Sequence, residues 1–137
     1  AFTPPGAKIY NTFRTRDRNL SEAPAQSHRQ PNLDVPVYIL INARTGSAAE
    51  SFAYTMKSAG RAKLVGEASG GAANPGAEQD AGHGFMVFVP TGSPVNPITG
   101  TNWEGVGVQP DVPVAADSAM DVALSLAREY QAGSSER

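Results

Sequence analysis

The spacing of apolar positions changes along the chain, and each change marks an expected element. Residues 7–13 alternate weakly, with Ile9, Asn11 and Phe13 on one side, as in a short edge strand. Residues 14–34 are polar and aperiodic, contain Pro24 and Pro31, and predict a long mobile loop. Residues 35–43 (VPVYILINA) form a continuous β-branched run, the pattern of a strand buried on both faces. Pro36 is tolerated near such a strand's start. Beyond Arg44, Thr45 and Gly46 the period becomes helical. Ala49, Phe52, Ala53 and Met56 fall at i, i+3, i+4 and i+7, and Gly60 supplies a stop. Residues 62–67 (AKLVGE) predict the next strand. Strand, helix and strand in this order form a βαβ unit, whose crossover is expected to be right-handed.

The second half is more broken. Residues 68–76 (ASGGAANPG) read as a glycine-rich loop, 85–90 (FMVFVP) as a buried strand, and 92–100 as a turn region. Residues 103–108 (WEGVGV) alternate like a short strand whose glycines permit close backbone approach. Ala119, Val122, Ala123, Leu126 and Tyr130 line one face of a closing helix, with Asp117 or Ser118 as its N-cap. The tail is expected to fray. The fold class is α/β, with the βαβ unit in a mixed sheet.

Composition qualifies this picture. The chain has 137 residues, 40% of them hydrophobic, but Leu, Ile, Val and Phe together supply only 26, and alanine supplies 21. That is a thin stock of large side chains for a core of its own. The net charge of -2 and the lack of a basic stripe argue against a nucleic-acid partner or an anionic membrane surface. Without cysteine there are no disulfides or thiolate metal sites, and His28 and His83 are too isolated for zinc. No window is long and apolar enough to span a bilayer. No signal-peptide pattern opens the chain, and because it begins with Ala1 rather than methionine an upstream segment is expected to have been removed.

Candidate chemistry concentrates in NARTGSAAESF, residues 42–52, where the apolar strand gives way to the helix at Ser47. Ser47-Ala48-Ala49-Glu50 has the spacing of a capping box, which is a sufficient structural reason for the serine. The functional reading is that Ser47 sits at the C-terminal edge of the sheet, beside the free amides of a helix start. Those amides, that of Ala48 nearest, could hold an oxyanion. A serine nucleophile also needs a base. Lys57 lies ten residues along the same helix, roughly 15 Å away at the usual rise. Lys63 starts its strand at the opposite pole, and Lys8 has no supporting context. His83 and His28 lie in turn and loop contexts typical of solvated histidines. If Ser47 is a nucleophile, its base is expected from chain outside this sequence.

The motifs GSAAE, GRAKLVGE and GTNWEGVGVQPDV, in that order, resemble the tail-specific (C-terminal processing) serine peptidase family. They are most similar to the branch containing the tricorn core protease and interphotoreceptor retinoid-binding protein. The resemblance implies a ClpP/crotonase-like peptidase domain whose C-terminal part is residues 35–131. Residues 1–34 are then an irregular lead-in and 132–137 a frayed tail. It implies Ser47 as nucleophile, the Ala48 amide as an oxyanion donor, and Glu104 as the glutamate of a Ser-His-Ser-Glu tetrad. The histidine and second serine of that tetrad lie upstream in the family. Where the processing-peptidase branch has a lysine, this chain has Ala72, which speaks against the lysine-dependent mechanism. Gly70 and Gly71 are ordinary turn glycines; a functional version has their backbone pairing with an extended peptide.

No cofactor or metal is implied. The expected partners are a peptide or protein substrate and the N-terminal part of the same protein. Many relatives act outside the cytoplasm. The alternative implied by the same branch is a non-catalytic carrier of hydrophobic, retinoid-like ligands. A piece built to pack on absent chain is expected to expose apolar surface and to be marginally stable or self-associating.

Overall fold

A computed structural model of the chain describes residues 2–4, 6–21 and 32–135. His28 and residues 22–31 of the expected mobile loop lie outside them. In chain order the elements are β1 (Thr12–Thr15), β2 (Asn19–Ser21), β3 (Tyr38–Ile41), α1 (Ala48–Ser58), β4 (Lys63–Gly66) and β5 (Gly76–Asp80). They continue with β6 (Met86–Pro90), β7 (Gly92–Val95), β8 (Val112–Pro113), a 3-10 turn (Ala116–Ser118) and α2 (Ala119–Ser135). The expected βαβ unit is present as β3, α1 and β4, and the α/β class holds.

Parallel and antiparallel pairings are divided among three sheets. The order β3-β4-β8 is wholly parallel, with Tyr38 opposite Lys63 and Ile41 opposite Gly66. In its central strand successive side chains point to opposite faces. Leu64 and Val65 are both fully buried because each face has a cover. Leu64 joins Ile41, Ala53 of α1, Trp103 and Val108, whereas Val65 joins Ala119 and Ala123 of α2. The predicted face of α2 is thus the one that packs. Its outer end is fixed by the Tyr130 hydroxyl, which donates to the Asp34 carbonyl at 2.6 Å.

Several expected boundaries shift, each for a local reason. β3 is an edge strand, so only Ile41 is buried and Leu40 is exposed. Residues 92–95, expected as turn, form β7, which pairs with β1 in the antiparallel sheet β2-β1-β7. β2 likewise falls inside the expected loop. Residues 103–108 form no strand. Trp103 is buried, and the following residues make tight turns through Gly105 (φ 70°) and Gly107 (φ 71°), a conformation incompatible with a pleated ladder. β6 is a strand but not a buried one. Among the described residues it pairs with β5 alone, and Phe85, Met86, Val87, Phe88 and Val89 are all exposed. The closing helix runs to Ser135, past the start of the expected frayed tail at residue 132. The 3-10 turn leads straight into it, and Glu67 accepts the Ala116 N–H at 3.1 Å.

Candidate active site

β3 delivers the chain to α1 through a turn braced by its own side chains. Thr45 Oγ1 accepts the Asn42 N–H at 3.1 Å, and Asn42 Oδ1 accepts the Arg44 N–H at 2.9 Å. Ser47 follows with φ 53° and ψ -120°, a region that a residue bearing a Cβ occupies at a cost of about 1–3 kcal/mol. A strained serine between a strand and a helix is the backbone arrangement of a nucleophile elbow. The Ser47 hydroxyl approaches the Glu50 amide as in a capping box without closing a hydrogen bond of ordinary geometry. The Ala48 N–H, in the first helical turn, has no acceptor within the helix.

The reciprocal half of the box is fully formed, and it does more than cap. Glu50 is completely buried and its Oε2 accepts the Ser47 N–H at 2.8 Å and the Ala72 N–H at 2.9 Å. Its Oε1 accepts the Ser69 hydroxyl and the Gly71 N–H, the latter at 2.6 Å. Burial alone would raise the carboxyl's pKa. The hydrogen bonds from Ser69, Gly71, Ala72 and Ser47 outweigh that and hold it below the ordinary value, so Glu50 is an anion at neutral pH. Ser69 Oγ in turn accepts the Val108 N–H at 2.6 Å.

Glu104 engages the next two amides. Its Oε2 accepts the Ala73 N–H at 2.7 Å and the Asn74 N–H at 2.8 Å, while Oε1 accepts no hydrogen bond among the described residues. Two carboxylates thus hold four consecutive N–H groups of the glycine-rich loop. This alters the expectation for Gly70 and Gly71. The Gly70 N–H donates to the Thr45 carbonyl at 2.9 Å, and the Gly71 carbonyl accepts the Gly105 N–H at 2.9 Å. With the Gly71 N–H on Glu50, these three groups are engaged internally, while the Gly70 carbonyl accepts no hydrogen bond among the described residues.

Ser47 and Ala48 open onto a cleft of about 540 Å³. Ile9, Phe13, Phe52, Met56 and Trp103 give it an apolar lining, and Ser51, Thr55 and Asn74 add polar groups. Phe52, expected on the buried face of α1, is 57% exposed because it faces this cleft instead. The helix turns Glu50, Ala53 and Met56 inward. Neither histidine nor lysine is among the described residues that line the cleft. Lys57 forms an ion pair with Asp111 at 2.9 Å and donates to the Gln109 carbonyl at 2.7 Å. His83 is exposed at the tip of the β5–β6 hairpin, with φ 54°.

The sequence reading gave Glu50 only a capping role and gave Ser69 none. The N3 position of Glu50 was a readable signal. Its link to Ser69, nineteen residues on, leaves no local spacing to find.

The fold and site define an α/β protein that presents a strained serine at a helix start above an apolar cleft. Residues 1–114 match the family model for peptidase family S41, and the chain belongs to that family. This agrees with the resemblance to tail-specific serine peptidases. Among solved structures, a photosystem II D1 C-terminal processing protease is 23% identical with a TM-score of 0.57, covering 79% of this chain and 28% of its own. A candidate peptidase from Parabacteroides merdae is 19% identical with a TM-score of 0.70, covering 88% of this chain and 42% of its own. Mature CPAF in complex with lactacystin is 21% identical with a TM-score of 0.56, covering 74% of this chain and 19% of its own. At these identities the likeness is one of fold. The chain spans less than half the length of each.

Proposed function

We propose that this chain carries the nucleophile of a serine peptidase, with Ser47 attacking the scissile carbonyl. The observation that carries this reading is the strained Ser47 at the rim of the cleft, beside the Ala48 amide, which donates to no acceptor among the described residues. In the reaction Ser47 Oγ bonds to the carbonyl carbon while its proton passes to a base. The Ala48 N–H stabilises the oxyanion of the tetrahedral intermediate. The intermediate collapses with cleavage of the C–N bond, the proton goes to the leaving amine, and water then hydrolyses the acyl-enzyme. The base is a histidine supplied by chain upstream of this sequence, in keeping with a cleft lining that has no imidazole or ammonium among the described residues. Glu104 orients it through a bridging serine; its Oε1, which accepts no hydrogen bond among the described residues, suits that role.

The apolar lining favours a second reading, a carrier of hydrophobic ligands on the same scaffold. A fluorophosphonate probe separates the two. The intact protein is expected to be labelled at Ser47, and Ser47→Ala to abolish labelling. Absence of Ser47-dependent labelling together with tight binding of a lipid-like ligand would establish the carrier instead.

A further inference from the structure

We infer that Glu50 is a positioning residue for this site, fastening the backbone of Ser47 and the glycine-rich loop into one rigid unit. The inference rests on the reading of Ser47 as nucleophile. One carboxylate oxygen, Oε2, receives both the Ser47 N–H and the Ala72 N–H, so the strained turn and the loop share a single acceptor. The other oxygen receives the Gly71 N–H and the Ser69 hydroxyl. The loop continues into Ala73 and Asn74, which line the cleft with Ser47. Any displacement of the loop is therefore transmitted to the backbone that sets the direction of the Ser47 hydroxyl.

The chemistry of the site demands a carboxylate. All four neighbours are donors, and only an ionised carboxyl offers acceptors on both of its atoms. A glutamine has the same shape, but its NH₂ group faces the Gly71 N–H in one orientation and the Ser47 and Ala72 N–H groups in the other, so at least one amide loses its acceptor either way. The other charged side chain of α1, Lys57, is paired with Asp111, and Glu104 accepts the Ala73 and Asn74 amides.

The test compares wild type, Glu50→Gln and Ser69→Ala in the intact protein by residue-resolved amide exchange, thermal unfolding and the kinetics of fluorophosphonate labelling. In folded Glu50→Gln, exchange at Ser47, Gly71 and Ala72 is expected to accelerate, and the maximal labelling rate to fall by at least about tenfold, as for a lost charge-assisted hydrogen-bond set. The probe concentration giving half-maximal rate should stay unchanged, which separates positioning from a general loss of structure. Ser69→Ala removes one donor of the four and is expected to show a smaller change of the same pattern, even if Glu50→Gln fails to fold. Unchanged Ser47 exchange and labelling in either folded variant overturns the inference. So does a labelling loss that only follows the fraction unfolded. If wild type itself is not labelled, the peptidase reading has failed, and the exchange data still decide whether Glu50 fixes the Ser47 backbone.

Discussion

At the scale of single residues, the site is organised by anions accepting backbone amides. A buried carboxylate is stable only where donors replace the water it has lost, and Glu50 has four of them. Because its folded pKa is lowered, its contribution to stability is complete above the ordinary carboxylate value of 4.5 and is lost as pH falls through the folded value. The thermal midpoint is accordingly expected to fall on acidification below about pH 4.5, and Glu50→Gln to lack that part of the fall. Thermal unfolding of both proteins between pH 7 and about pH 2.5 measures it, and parallel curves would exclude Glu50 as the group responsible. The sequence exposed Ser47, Ala48 and Glu104 as candidates through local motifs. It could not expose the Glu50–Ser69 pair, because a contact between a helix start and a distant loop has no periodicity. It also could not show that Gly71 is committed on both its N–H and its carbonyl, since turn glycines look alike whatever their partners.

At the scale of elements, what was legible followed from packing on both sides. The β3–α1–β4 unit and α2 bury regular faces, and regular burial writes a period into the sequence. Where elements were misjudged, backbone geometry or a missing cover decided. The alternation of WEGVGV imitates a strand, yet the chain turns there so that residues 107–108 lie against Ser69. Gly107 makes that approach possible: at φ 71°, a Cβ on it would stand 2.2 Å from the Ser69 carbonyl oxygen. Gly107→Ala therefore combines a backbone penalty with a collision against main chain. A destabilisation of roughly 2–4 kcal/mol is expected, readable in a denaturant titration of the variant against wild type. Gly82→Ala is the control: its φ is also positive, at 81°, but its Cβ would meet nothing within 4 Å. A much smaller loss there assigns the excess at Gly107 to the contact with Ser69, and equal losses would refute that contact's importance.

At the scale of the molecule, apolar surface is distributed unevenly. The two layers around β4 are well covered, whereas the β5–β6 hairpin leaves Phe85 69% and Phe88 56% exposed and pairs with no other strand. Among the described residues no third strand extends this hairpin, and a two-stranded hairpin is marginal on its own, so its exposed apolar side chains contribute little to stability. They do present a contiguous patch to solvent, where an environment-sensitive apolar dye can adsorb. The double variant Phe85→Lys, Phe88→Lys is expected to lower dye binding severalfold while moving the thermal midpoint by no more than a few degrees, since surface positions away from the core change stability by about 0.5 kcal/mol or less. Dye fluorescence and thermal unfolding on the same samples make the comparison. A large drop in midpoint would mean that the two phenylalanines are buried in solution, with the hairpin folded onto other chain. A variant with unchanged dye binding and midpoint would place the exposed apolar surface on another part of the molecule, such as the outer face of α2 with Met120 and Leu124.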